Sequence, residues 1–91
     1  MIASFWHKGL KELFHTGRSA KVDPRLRQRC MDILDVLEAS NSLKDLNVPG
    51  FQLHELHTDP LRYSIHVNGP WTITFEWQAP RAWRVDLEQY H

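Results

Sequence analysis

Apolar positions in this chain follow two periods, and the change between them falls at Pro49-Gly50. Before that point the period is helical. Leu10, Leu13 and Phe14 recur three and four apart between Lys8 and His15, with Gly17 placed as a C-cap, so the spacing predicts a first helix. Asp23-Pro24 offers an N-cap carboxylate followed by proline at the first helical position. Leu26, Cys30, Ile33, Leu34 and Leu37 then form one stripe and predict a second helix ending near Ala39. Arg25 and Arg29 lie off the stripe and are expected to face solvent or a partner. Ser40-Asn41-Ser42 breaks the helix, and Leu43 with Leu46 fits one further turn. Met1–Phe5 fits an edge strand.

After Gly50 the period is two. Phe51 and Leu53 share one face, with Gln52 and His54 on the other. Alternation returns over Arg62–Val67 and Trp71–Trp77, and Trp83, Val85 and Leu87 give a last strand with all three side chains inward. Asn68-Gly69-Pro70 is turn chemistry. A three-residue turn sets Val67 against Trp71, Ile65 against Ile73 and Tyr63 against Phe75, and it leaves His66 against Thr72, Ser64 against Thr74 and Arg62 against Glu76. A slip by one residue would mix the two faces, so this register is preferred. The predicted fold is therefore α+β. Two N-terminal helices pack on the greasy face of a mostly antiparallel sheet of four to five strands, and the polar face carries His54, Arg62, His66 and Thr72.

Residues 1–91 are long enough for one domain, with neither repeat nor linker to divide them. Cys30 is the lone cysteine, which excludes an internal disulfide and fits a reducing, cytoplasmic setting. No apolar run reaches the roughly 18–20 residues that span a bilayer, and the first residues lack the pattern of a signal peptide, so no membrane association is expected. Net charge is zero but unevenly spread. Residues 1–30 hold seven Lys/Arg against two Asp/Glu, a balance of +5, whereas residues 31–91 hold four against nine, a balance of −5. A basic half suits a polyanionic partner.

Histidine is the candidate chemistry, because imidazole takes and gives protons near neutral pH. His54 and His57 lie in one segment and Tyr90-His91 ends the chain. If the sheet carries its last strand toward His54, folding makes a small acid–base site with neither metal nor cofactor, the two groups within a few ångströms. The His54-Glu55-Leu56-His57 spacing is wrong for a helical zinc pair, which needs histidines four apart. Arg62 is expected to pair with Glu76 weakly enough, about 0.2–1 kcal/mol if exposed, to turn toward a phosphate.

Met1-Ile-Ala-Ser-Phe5 leading into Lys8-Gly9-Leu10, the Leu53-His54 strand, Ser64-Ile-His-Val-Asn-Gly-Pro-Trp71 and the closing Val85-Asp-Leu-Glu-Gln-Tyr-His91 together carry a family likeness. Along essentially its whole length the chain resembles the HigB-type toxins of the RelE/ParE superfamily. The resemblance implies a RelE-like fold and a ribosome-dependent messenger-RNA endonuclease, held inactive by a HigA-like helix-turn-helix antitoxin through which alone the toxin meets DNA. It implies attack of a ribose 2′-hydroxyl on the adjacent phosphate, with His54, Tyr90 and His91 at matching positions and His57 where the family commonly has lysine. Arg18, Lys21, Arg25 and Arg29 would then contact ribosomal RNA. The chain departs from the pattern at Thr72, where the family often has arginine, and at Gln89, where some relatives have aspartate. Losing one such charge costs on the order of 10²–10³ in rate, so a weak nuclease is expected, or one in which Arg62, Arg84 or His66 supplies the charge. The alternatives are a gyrase-inhibiting toxin of the ParE kind and a non-catalytic antitoxin-binding homologue.

Overall fold

A computed structural model describes residues 1–89. Helix α1 (Lys8–Thr16) begins where the His7 ring accepts the Leu10 N–H at 3.0 Å and ends at Gly17, whose left-handed backbone lets its N–H reach Leu13 O. Gly9 marks a close approach. A Cβ there would lie 2.8 Å from the Lys21 Cβ.

Helix α2 (Arg27–Ala39) starts later than the spacing predicts. Asp23 accepts the Arg25 N–H at 2.9 Å and its carbonyl accepts from Leu26, so Asp23–Leu26 is a turn that delivers the chain to the helix. The predicted stripe of Leu26, Cys30, Ile33, Leu34 and Leu37 is buried. A 3-10 turn at Leu43–Leu46 follows, closed by a reciprocal Ser42–Asp45 capping box that satisfies donors the short turn would otherwise leave open.

The sheet runs β1 (His54–Glu55), β2 (Tyr63–Asn68), β3 (Trp71–Gln78) and β4 (Arg81–Gln89), each antiparallel to its neighbour. Ile2 and Phe5 bridge in parallel to Ala82 and Val85, so the N-terminal segment extends the β4 edge as expected. Strand β1 is shorter than predicted because Gln52 has φ 50°, which breaks the extended run after Phe51. Phe51 O still accepts the His66 N–H at 2.8 Å.

The β2–β3 register holds for Tyr63–Phe75, Ser64–Thr74, Ile65–Ile73 and His66–Thr72, but Asn68, not Val67, faces Trp71. A bulge at Val67 absorbs the odd residue, so a tight Gly69-Pro70 turn and the inward register coexist. Strand β4 carries a second bulge. Thr74 pairs with Asp86 but Glu76 with Trp83, and Arg84 in between has φ 51°. Alternation therefore reverses there. Ala82, Val85 and Leu87 are inward, while Trp83 lies on the polar face with Glu76, against the expectation that it packs inward.

The helices cover the other face, where Leu10, Leu13, Ile33, Leu34, Ile65, Ile73 and Phe75 are fully buried. Each such side chain contributes roughly 1.5–3 kcal/mol on burial, which fixes this face of the sheet against the helices and leaves the polar face on the far side. Among the described residues no helix is long and apolar enough to cross a membrane.

Candidate active site

The polar face has a floor of small hydroxyls. Pairing aligns His54 with Ser64, Ser64 with Thr74, and Thr74 with Asp86, one transverse row across all four strands. His66, Thr72 and Glu88 form the next row toward the chain's end. Ser64, Thr72 and Thr74 are buried, so the floor is recessed between exposed His54 on one side and exposed Glu88 on the other. Tyr90 and His91, two of the four predicted catalytic residues, lie outside the described residues. Strand β4 up to Gln89 nonetheless presents Asp86 and Glu88 on the face that bears His54. Three strand spacings separate β1 from β4, about 14 Å between backbones.

Arg62 closes one end of this face. Its Nη1 donates to Glu76 Oε2 at 3.1 Å, and its Nη2 donates to Thr74 Oγ1 and Arg84 O, both at 3.0 Å. Arg84 Nη1 donates to the other Glu76 oxygen at 3.0 Å. The expected Arg62–Glu76 pair is present, but it is buried, with the side chains only 9% and 6% exposed. Trp6 covers it, its ring 4.6 Å from the guanidinium carbon. Truncating one partner of a buried pair costs about 3–5 kcal/mol. That corrects the expectation of a weak, exposed pair from which Arg62 could swing to a phosphate. Arg84, whose side chain is 43% exposed, is the cation left facing the site.

Thr74 links the cluster to β4, accepting from Arg62 and donating its hydroxyl to Glu88 Oε2. Thr72 directs its hydroxyl at Glu88 O, 3.4 Å away, and so supplies no positive charge. Thr74, Glu88 and Trp6 are the members that sequence reasoning missed. The first two occupy polar-face positions of the alternation and could have been found there. Trp6 belongs to neither period and left no signal. Trp83 Nε1 is buried and has no hydrogen-bond partner among the described residues, a consequence of the β4 bulge that turned the ring over.

The remaining predicted residues are spread out. His57 is exposed with φ 53°, its Nδ1 3.6 Å from Glu55 Oε1. His66 lies one row nearer the hairpin and meets Gly69 O through Nε2 at 3.2 Å. Arg18 and Lys21 are exposed in the α1–α2 connection. Arg25 pairs there with Asp23 at 2.8 Å, and that hydrogen-bonded guanidinium holds the Asp23 carboxyl down at about 2. Arg29 is engaged within the fold: it donates to Gly50 O and His66 O and lies over the Phe51 ring, tying α2 to the sheet. Among the described residues no three His, Cys, Asp or Glu side chains gather as a metal cage. The arrangement offers an exposed imidazole at His54 and a half-exposed guanidinium at Arg84, on a floor whose threonine hydroxyls are directed at Glu88.

Two comparisons bear on this face. Residues 3–91 match the family model described as the RelE-like toxin of type II toxin–antitoxin system HigB. The chain is also 37% identical over 92 residues to the Endoribonuclease HigB of Proteus vulgaris, covering all of both chains.

Proposed function

This chain belongs to the HigB-like family of RelE-like toxins from type II toxin–antitoxin systems, and from that membership we propose that it cuts messenger RNA on the translating ribosome. The ribose 2′-oxygen attacks the adjacent phosphorus, a base removes its proton, the P–O5′ bond breaks, and an acid protonates the departing 5′-oxygen. The products are a 2′,3′-cyclic phosphate and a 5′-hydroxyl. His54 and His91 share the two proton transfers, Tyr90 positions or donates, and His57 with Arg84 draws the phosphate in. Arg62 acts from beneath, holding Glu76 and Thr74 in place.

One observation carries this reading. A chain alike end to end to an endoribonuclease presents His54, the hydroxyl floor and the final strand on the single sheet face that its helices leave uncovered. Membership in a type II system implies an antitoxin partner. We assign that role to a HigA-like helix-turn-helix protein, place the toxin in the cytoplasm, and read residues 1–91 as one functional domain. Arg18, Lys21 and Arg25 are the residues for ribosomal RNA.

The test is cleavage by purified protein on ribosomes programmed with a defined message. The wild type is expected to yield 5′-hydroxyl and cyclic-phosphate ends, and His91→Ala to lose them while melting normally. Normal cleavage by His91→Ala would remove the assignment of that ring. Toxicity that survives a His54/His91 double substitution, with broken DNA in place of cut RNA, would transfer the protein to the gyrase-inhibiting class.

A further inference from the structure

We propose that Trp6 is a stacking platform for one unstacked RNA base beside the cut, a binding residue added to the endoribonuclease reading on which this inference rests. Trp6 is 58% exposed, the most exposed of the large apolar side chains among the described residues. Single exposed apolar residues are ordinary, and Met1 and Leu61 are such cases. Trp6 differs because it is held. One ring face lies on the Arg62 guanidinium, itself fixed by Glu76, Thr74 and the Arg84 carbonyl. Its backbone N–H is fixed to Val85 O at 2.9 Å. With Arg62 on one face and the residue more than half exposed, the ring keeps surface open to solvent on the side of the sheet that bears Arg62 and His54.

The geometry agrees with a nucleotide. The Arg62 guanidinium reaches Thr74 on β3 and the Arg84 carbonyl on β4, so the Trp6–Arg62 stack lies over the β3–β4 side of the polar face, two strand spacings or about 10 Å across the sheet from His54 on β1. Two guanidiniums share the Glu76 carboxylate and Glu88 lies across Thr74, so the cluster is balanced as a whole, and Arg84, which engages Glu76 through Nη1, is its half-exposed cation. A flat π-face next to a half-exposed guanidinium suits a base and its phosphate, since aromatic stacking tolerates any base and Arg attracts the backbone. A ring that merely roofed the Arg62–Glu76 pair would protect stability but would respond to no base.

The experiment uses ribosomes programmed with messages that carry an abasic ribonucleotide at each position flanking the cut, assayed with wild type, Trp6→Ala, Trp6→Leu and Trp6→Phe. One abasic position is expected to lower wild-type kcat/KM by roughly 5- to 150-fold, the range for one stacked base. Trp6→Ala should lose a similar factor on the intact message and no longer respond to that position. Trp6→Leu, which keeps an apolar cover over Arg62, should behave like Trp6→Ala, and Trp6→Phe should stay near wild type. Wild-type rates in Trp6→Ala, or an unchanged response to every abasic position, would overturn the proposal while the ribonuclease reading stands. Weaker antitoxin binding by Trp6→Ala with unchanged cleavage would overturn it too, assigning the ring to protein docking. A wild type that cuts no message would remove both readings together.

Discussion

His57 holds a left-handed backbone that costs a non-glycine residue roughly 1–2 kcal/mol, less for histidine than for a branched side chain. His57→Gly is therefore expected to keep or slightly raise stability in a urea melt while lowering cleavage; undiminished cleavage would remove His57 from the phosphate site. Glu76→Ala should act the opposite way. It leaves the buried Arg62 without its carboxylate and should cost about 3–5 kcal/mol; a loss below 1 kcal/mol would mean the cluster is solvated. Thr72→Arg puts a cation on the floor at the position where the family resemblance implies one, and a cleavage gain approaching 10² is expected. The faces of His54, Arg62 and His66 were legible from alternation alone. What covers a face was not, because Trp6 comes from the far end of the chain and arrives there only through its pairing with β4.

At the scale of elements, both helices and the β2–β3 register followed from periodicity, since a shifted register would have put polar side chains into the core. The two bulges did not. Val67 and Arg84 are not glycines, and nothing local marks either as the extra residue, so the phase of β4 and the face of Trp83 were misread. The start of α2 was misread for a related reason: Asp23 satisfies a turn N–H in place of a helical one. Cys30 on the buried stripe of α2 gives the helix packing a pH signature. Burial pushes its thiol up to about 11 from an ordinary 9.0, with Arg29 pulling the other way. The folded state thus keeps a proton that the unfolded chain gives up, so this contribution is complete below about pH 9 and is lost as pH rises toward 11. Stability should fall over that window more steeply in the wild type than in Cys30→Ala. Equal slopes would mean that the thiol is hydrated.

For the molecule as a whole, the uneven charge of the sequence becomes an exposed basic connection at Arg18, Lys21 and Arg25, with Arg25 beside the Asn68–Trp71 hairpin. Arg29, counted with them in the sequence, is withdrawn into the fold. Replacing the three by glutamine should leave the melting curve alone and lower the slope of log ribosome affinity against log salt by about 2; an unchanged slope would place ribosome binding elsewhere. The central claim is that the uncovered sheet face cuts translated RNA, and mapping 5′ ends after inducing the protein alone tests it most directly. On translated and untranslated versions of one message, the account predicts new 5′-hydroxyl ends on the translated version only, and none with His54→Ala. Equal cutting of both versions, or cutting that persists in His54→Ala, would contradict it.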